Sequence, residues 1–287
     1  MKPTLLILAA GMGSRYGGLK QLDAFGPNGY TLMDYSIYDA VRAGFGRVVF
    51  VIRHDFEQEF CAKILSKYDS IIDTAVVFQE NPTGRDKPWG VVHAVIAAKD
   101  TIQEPFFMIN ADDFYGLDAF KKASKFLTDR DTTNEYCIIG YELGRTLSNC
   151  GGVNRGVCEL DASGNLTRVT ENKNIIRDGD NIKSDQSDSL DENTPISMNA
   201  ICFTPDYLKH SDKYFNEIFL PQNKNNETAE LNAPMMMDYL IQNKTATIKC
   251  VTTSDDWFGV TYQEDKPLVT AAIAEKIASG DYPEKLF

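Results

Sequence analysis

Blocks of apolar residues and blocks with helical spacing take turns along the first half of the chain. Residues 4–9 form a short, wholly apolar run, and similar runs occupy 47–53 (RVVFVIR), 74–79, 105–110 (PFFMIN) and 136–141. Between them, apolar positions recur three and four residues apart over 31–43, 56–67, 90–99 and 117–128. A continuous apolar run bounded by turn residues reads as a strand buried on both faces, and the 3.6-residue period reads as a helix with one apolar face. Strand and helix alternating in this way predict a mostly parallel sheet covered by helices. Ligands bind such sheets at the carboxyl ends of the strands. The loops after residues 9 and 110, and the one before the helix at 90, are therefore where chemistry is expected.

The pattern changes near residue 150. Short strands with polar connections follow (GGVNRGVCEL, LTRVTENK, ISMNAICF), which predict an antiparallel layer added to the sheet. The acidic stretch 178–194 reads as a solvated loop or loose hairpin. Helices at 205–218 and 228–243, a strand at 246–252 and a last helix at 263–279 complete the expected order.

Composition sets limits on partners. With 43% apolar residues among 287, the chain can build a substantial core. Lys and Arg number 29 against 41 Asp and Glu, a net charge of −12, which argues against nucleic-acid or anionic-membrane binding. An anionic ligand must then meet a local cluster of cations. The six cysteines are scattered without metal-ligand spacing and read as reduced residues of a cytoplasmic protein. The apolar run at 5–10 is too short for a secretory signal, and no stretch reaches the length of a membrane span.

The strongest chemical signal follows the first strand, in Gly11-Met12-Gly13-Ser14-Arg15-Tyr16-Gly17-Gly18-Leu19-Lys20. Glycines directly after a buried strand let the backbone turn N–H groups toward an anion, and two cations lie on the same loop. The loop lacks the G-K-[ST] ending of a Walker A motif. It also misses the dinucleotide fingerprint, because Tyr16 stands where the third glycine belongs and Arg53 where an acid would hold a ribose. Further along, Asn110-Ala111-Asp112-Asp113 puts carboxylates at the end of a strand, where hard oxygen ligands suit Mg²⁺.

Leu8-Ala9-Ala10-Gly11-Met12-Gly13-Ser14-Arg15, with Lys20 following, resembles the L-A-[AG]-G-x-G-[ST]-R…K signature of the sugar-1-phosphate nucleotidyltransferases. The resemblance implies an α/β fold: a Rossmann-like, mostly parallel mixed sheet flanked by helices, of the GT-A-like nucleotidyltransferase type, with an added antiparallel sugar-binding layer. It implies one domain over 1–287, with a nucleotide-binding half (1–145), a sugar-phosphate-binding half (146–262) and a C-terminal helix (263–287). Ala9, Ala10, Gly11, Gly13, Ser14 and Arg15 would hold the nucleoside triphosphate, with Arg15 and Lys20 facing its phosphates. Gln79, Trp89 and Gly90 resemble the family's base-binding elements, although Val91 stands where a Thr is common.

Asp112 matches the family's metal-binding Asp, which implies Mg²⁺ as cofactor and places Asp112 with Arg15 and Lys20 as catalytic; Asp113 would cap the next helix or support Asp112. Ser254-Asp255-Asp256-Trp257-Phe258-Gly259 resembles W-x-D-x-G-T with Gly259 in place of the Asp, so the second metal ligand falls to Asp256 and then Asp255. On the acceptor side, Gly152 resembles the hairpin glycine over the sugar. Glu171 and Lys173 resemble an E-x-K pair for sugar hydroxyl and sugar phosphate, and Asn199 a sugar-binding Asn.

The implied reaction joins a nucleoside triphosphate, UTP or dTTP favoured, to a sugar-1-phosphate and releases pyrophosphate. The attacking phosphate oxygen is already an anion, so positioning and charge neutralisation suffice without a protein base. A cytidylyltransferase acting on a phosphorylated alcohol such as phosphocholine, and a non-catalytic nucleotide or NDP-sugar binder, are the alternatives. A D-x-D glycosyltransferase fails at Phe114, and a nicotinamide oxidoreductase fails at Tyr16 and Arg53.

Overall fold

The computed structural model describes residues 1–11, 20–80, 85, 87–129, 133–148, 151–260 and 263–287. The first half runs β1 (Thr4–Leu8), α1 (Leu32–Arg42), β2 (Arg47–Ile52), α2 (Glu57–Lys63), β3 (Asp73–Phe78), α3 (Val91–Ile96) and β4 (Phe106–Asn110). Next come β5 (Asp113–Phe114), α4 (Leu117–Thr128), β6 (Glu135–Glu142), β7 (Val153–Leu160), β8 (Leu166–Asp178), β9 (Asn181–Lys183) and β10 (Pro195–Phe203). The chain ends with α5 (Asp206–Tyr214), α6 (Leu220–Asn223), α7 (Ala233–Gln242), β11 (Thr247–Thr252), β12 (Phe258–Gly259) and α8 (Lys266–Ala278).

A mixed sheet organises the molecule, in the order β3-β2-β1-β4-β10-β7-β8-β9, with β6 pairing β10 and β11. The four strands of the first half are mutually parallel. Every residue of β1 is buried, as expected of a central parallel strand with helices on both faces. Leu5 and Ile7 point into a core shared with Met33, Ile37, Phe60 and Phe120 of α1, α2 and α4. Leu6 and Leu8 point the other way, onto Val92 and Val95 of α3, Tyr207 of α5 and Met236 of α7. The expected α/β class and mixed, mostly parallel sheet are both present. The antiparallel strands β7, β8 and β9 extend the same sheet through β10.

Two topological features place the site. The chain moves from β1 outward to β2 and β3 on one side and to β4 on the other, so a crevice opens where the order reverses, past Leu8 and its register partner Asn110. Strand β10 is bent by a register shift between Ser197 and Ile201, with Asn199 in the left-handed region at φ 58°. Its later residues pair with β4 and its earlier ones with β7, and Asn199 sits between these two pairings.

Several boundaries differ from expectation for local reasons. The helix expected from 228 starts at Ala233, because Asn232 caps it by accepting the Met235 N–H at 3.0 Å. Before that cap, the Leu231 N–H donates to the Trp89 carbonyl and the Leu231 carbonyl accepts from the Val92 N–H. The acidic stretch contains β9, paired back onto β8. A two-residue pairing, Phe258 with Phe114 and Gly259 with Asp113, had no counterpart in the sequence pattern. The five described cysteines are free, and among the described residues no helix is long and apolar enough to cross a membrane.

Candidate functional site

The residues following β1 and β4 line a cavity of about 430 Å³ in the crevice. Ala10 and Gly11 supply one wall, and the Gly11 carbonyl accepts from Gln21 Nε2 at 2.8 Å. Ala9 is wholly buried behind them, its N–H donating to the Val51 carbonyl at 2.8 Å. The expectations for Gly13, Ser14 and Arg15 fall outside the described residues, as does the side chain of Lys20, whose backbone opens a short 3₁₀ turn.

Gln79 and Gly90 both line this cavity and touch each other on its wall. Gln79 follows β3, its backbone anchored to the Ile52 carbonyl at 2.9 Å, and its side-chain Nε2 donates to the Gly90 carbonyl at 3.1 Å. The same nitrogen lies 3.4 Å from His93 Nδ1. Burial, with Arg85 adding its charge, pushes the His93 pKa down to about 4, so the ring is neutral at neutral pH and Nδ1 can accept. Both amide protons of Gln79 are thus directed to protein acceptors, and its carbonyl oxygen is the group it offers to a ligand. His93 is packed against Phe215 and also steadies Gln79.

Gly90 adopts φ 95°, and a Cβ there would lie 2.7 Å from the Leu231 carbonyl oxygen, so only glycine lets the chain pass. Trp89 differs from its expected role: it is 4% exposed, packs edge-on against Phe215 and Phe219, carries the Arg85 guanidinium 3.6 Å above its ring, and is absent from the cavity wall.

Beyond Asn110, Asp112 and Asn199 a second cavity opens, about 300 Å³ in volume, and these residues with Val91 border both spaces. Asp112 projects from the turn after β4 onto the shared wall. Asp113 is buried; its Oδ2 accepts from Asn110 Nδ2 at 2.9 Å and from the Tyr115 hydroxyl at 3.2 Å. Asn199 Nδ2 donates to Asn110 Oδ1 at 3.4 Å. The one carboxylate on the wall shared by these two cavities, Asp112, is a suitable hard donor for Mg²⁺, which takes one or two carboxylates and completes its shell with phosphate and water. Among the described residues, no cluster of three or more His, Cys, Asp or Glu could hold a metal unaided.

The second metal-side carboxylate is not where it was expected. Asp256 lies 2.7 Å from Arg145 Nη2 and 3.5 Å from Lys276 Nζ, and it borders neither cavity. Asp255 accepts the Asp118 and Ala119 N–H groups at 2.6 and 3.1 Å, closing the N-terminus of α4. Burial raises its pKa against the pull of those two hydrogen bonds. Neither acid reaches Asp112's wall. Gly259, in the position of the missing acid, is paired with Asp113, and a Cβ there would come within 2.2 Å of Asp113 Oδ1. In this chain Asp113 fills the space that a side chain at 259 would need.

The acceptor side is also shifted along the strand. Glu171 lines the second cavity and accepts from Asn232 Nδ2 at 3.3 Å, while Asn232 caps α7. The glycine opposite Glu171 is Gly156, and Arg155 beside it lines the cavity as well. Gly152 borders a third cavity instead, about 490 Å³, which shares only Asn154, Arg155 and Trp257 with the second. Lys173 is exposed beyond a register shift in β7–β8 and borders none of the three. A regular hairpin counted back from the turn would set Gly156 against Thr170; the register shift between Glu159 and Leu160 moves it to Glu171, so the pairing has no local signal in the sequence.

Residues 5–119 match the family model of the MobA-like NTP transferase domain. Over nearly all of the chain the fold is similar to that of solved nucleotidyltransferase structures. The inositol-1-phosphate CTP transferase from T. maritima matches with a TM-score of 0.64 and 13% identity, over 96% of this chain and 97% of that one. A protein assigned as a glucose-1-phosphate thymidylyltransferase from Bacillus anthracis, solved with a sucrose, matches with a TM-score of 0.65 and 13% identity over 94% of each chain. No curated protein matches the chain by sequence.

Proposed function

We propose that this chain is a nucleotidyltransferase that joins a pyrimidine nucleoside triphosphate, UTP or dTTP, to a sugar-1-phosphate and releases pyrophosphate. One observation carries the reading: two cavities meet at a wall made by Asn110, Asp112 and Asn199, one holding Gln79 and Gly90, the other Glu171 and Asn232. The first suits a base and ribose, and the second a polyol. Their shared wall is where an acceptor phosphate and an α-phosphate would meet.

The Gln79 carbonyl matches the N3–H donor of uracil or thymine, while the glycine at 90 lets the base lie against backbone. Glu171, Asn232 and Asn199 offer acceptors and donors to hydroxyl groups. Among the described residues no histidine or cysteine borders either cavity, consistent with a reaction whose nucleophile needs no deprotonation. Bound Mg²⁺, held by Asp112, would neutralise phosphate charge. Two unit anions about 4 Å apart repel by roughly 4 kcal/mol at an effective dielectric near 20. Arg15 and Lys20, by their resemblance to the family loop, supply the remaining positive charge in a chain of net charge −12.

The test is pyrophosphate release from a matrix of UTP, dTTP, CTP and ATP against glucose-1-phosphate, its N-acetylamino counterpart, inositol-1-phosphate and phosphocholine. Release confined to UTP or dTTP with a sugar-1-phosphate is expected. Release only with CTP and a phosphorylated alcohol would replace this reading by the cytidylyltransferase one. No release from any pair would leave a binding protein. Arg15→Ala should lower kcat by about 10³-fold, as loss of a transition-state arginine does in phosphoryl transfer.

A further inference from the structure

Arg155 has no role in the reading above. It lies on β7 with its guanidinium held on several sides: Nε donates to Thr146 Oγ1 at 3.3 Å, Nη2 to the Thr146 carbonyl, and Nη1 to the Asn154 carbonyl at 2.9 Å. The Trp257 ring lies beneath it, 4.8 Å from centroid to guanidinium carbon. Among the described residues three of its five N–H groups are used, and two remain, one on each terminal nitrogen. Among the described residues it makes no ion pair with a carboxylate within 4 Å. Burial draws its pKa down to about 10, partly offset by Asp113, so it is still a cation at neutral pH. A half-buried guanidinium with no carboxylate partner among the described residues is costly to keep, and a rigid fork with two open donors is the geometry that binds carboxylate or phosphate.

Its place in the trough gives the ligand's identity. The three cavities follow in order, the first meeting the second at Asp112 and the second meeting the third at Asn154, Arg155 and Trp257. Arg155 borders the second and third but not the first. An attacking phosphate belongs at the Asp112 wall shared by the first two cavities, whereas Arg155 stands at the boundary between the second and the third. Neutral hydroxyls there already have Glu171, Asn232 and Asn199, and what Arg155 adds is charge. On the proposed nucleotidyl transfer, and resting on it, we propose that Arg155 binds a second anionic group at the end of the acceptor remote from its reacting phosphate. The acceptor class is therefore a phosphorylated sugar or polyol that also carries a carboxylate or a second phosphate.

Binding and turnover separate this inference from the reading it rests on. Calorimetry on the full chain compares glucose-1-phosphate with glucuronic acid 1-phosphate and glucose 1,6-bisphosphate, which place a carboxylate or a phosphate at the far carbon. The expected result is that at least one of the two binds about 10–100-fold more tightly than glucose-1-phosphate, the scale of a charge-assisted bidentate contact. Preference for only one tells carboxylate from phosphate. Arg155→Gln should bring that ligand down to the affinity of glucose-1-phosphate, and Arg155→Lys should recover part of the difference. The wild-type comparison decides even where Arg155→Gln does not fold. Equal affinities for all three ligands, failure of both charged ligands to bind, or discrimination that survives in Arg155→Gln overturns the assignment. Charge-dependent binding with no pyrophosphate release from any pair would keep Arg155 and reject the transfer reaction; release without charge discrimination would do the reverse.

Discussion

Gly90→Ala perturbs fold and site through one atom. The backbone there has φ 95° and ψ −174°, a region that side chains other than hydrogen occupy at a cost of about 1–3 kcal/mol. The new Cβ would stand 2.7 Å from the Leu231 oxygen and 2.9 Å from its nitrogen. Those atoms cannot withdraw freely, because the Leu231 N–H donates to the Trp89 carbonyl at 2.8 Å and its carbonyl accepts from the Val92 N–H at 3.1 Å. Overpacking against fixed backbone adds about 1–3 kcal/mol. The sum, about 2–6 kcal/mol, is a large part of the 5–15 kcal/mol that typically holds a domain together.

For a chain of this size that corresponds to a fall in Tm of roughly 3–10 °C. The Gly90 peptide also accepts from Gln79, so nucleotide KM should rise by about tenfold, one lost hydrogen bond's worth. Gly44→Ala is the control: φ is 88° but nothing lies within 4 Å of the added carbon, so the loss there should stay near 1–2 kcal/mol. Urea unfolding of both variants, with nucleotide kinetics on the first, reads the two effects. Equal losses at the two glycines, or an unchanged KM in Gly90→Ala, would refute the reasoning.

Three further outcomes follow from the geometry. Asp112→Asn should abolish Mg²⁺-dependent turnover while leaving Tm within about 2 °C, since one surface-accessible substitution alters stability by under about 0.5 kcal/mol; a normal Mg²⁺ titration curve would move the metal elsewhere. Asp255→Ala removes the acceptor for two N–H groups at the start of α4 and should cost about 1–2 kcal/mol in urea unfolding, with the Mg²⁺ requirement unaltered. A loss of metal response in that variant would restore Asp255 as a ligand. Asp39 is buried against Tyr282, and burial raises its pKa from 3.8 to about 7 despite that hydrogen bond. The folded state holds this proton more tightly than the unfolded chain, so the contribution to stability is full below pH 3.8 and is lost as pH rises through 7. Asp39→Asn should thus gain on the wild type between pH 5 and 8, by on the order of 1–3 kcal/mol at pH 8; a variant less stable than wild type at pH 8 contradicts the shift.

How far the sequence carries depends on whether a feature is local. The parallel strands were legible because burial on both faces makes each a continuous apolar run, and the crevice followed from where such strands end. Gln79, Gly90 and Asp112 sit directly after or before regular elements, so their positions on the cavity wall were within reach. Arg155 was missed because its work depends on hairpin register and on Trp257, about 100 residues away in sequence. Asp256 was misplaced because adjacent acids look alike in a sequence. Only the packing reveals that Asp255 closes α4 and that Asp256 is held by Arg145 and Lys276. The bend at Asn199 and the pairing of Gly259 with Asp113 are tertiary events with no local signature.

Co-crystallisation with Mg²⁺ and a non-hydrolysable UTP or dTTP analogue reads the geometry directly. The pyrimidine edge should come within about 3 Å of the Gln79 carbonyl oxygen, with the base against Gly90 and the α-phosphate beside Asp112. A nucleotide lodged in the cavity beside Leu268 and Ala272, with the crevice between Gly11 and Gln79 left open, would contradict the site and the reaction proposed for it.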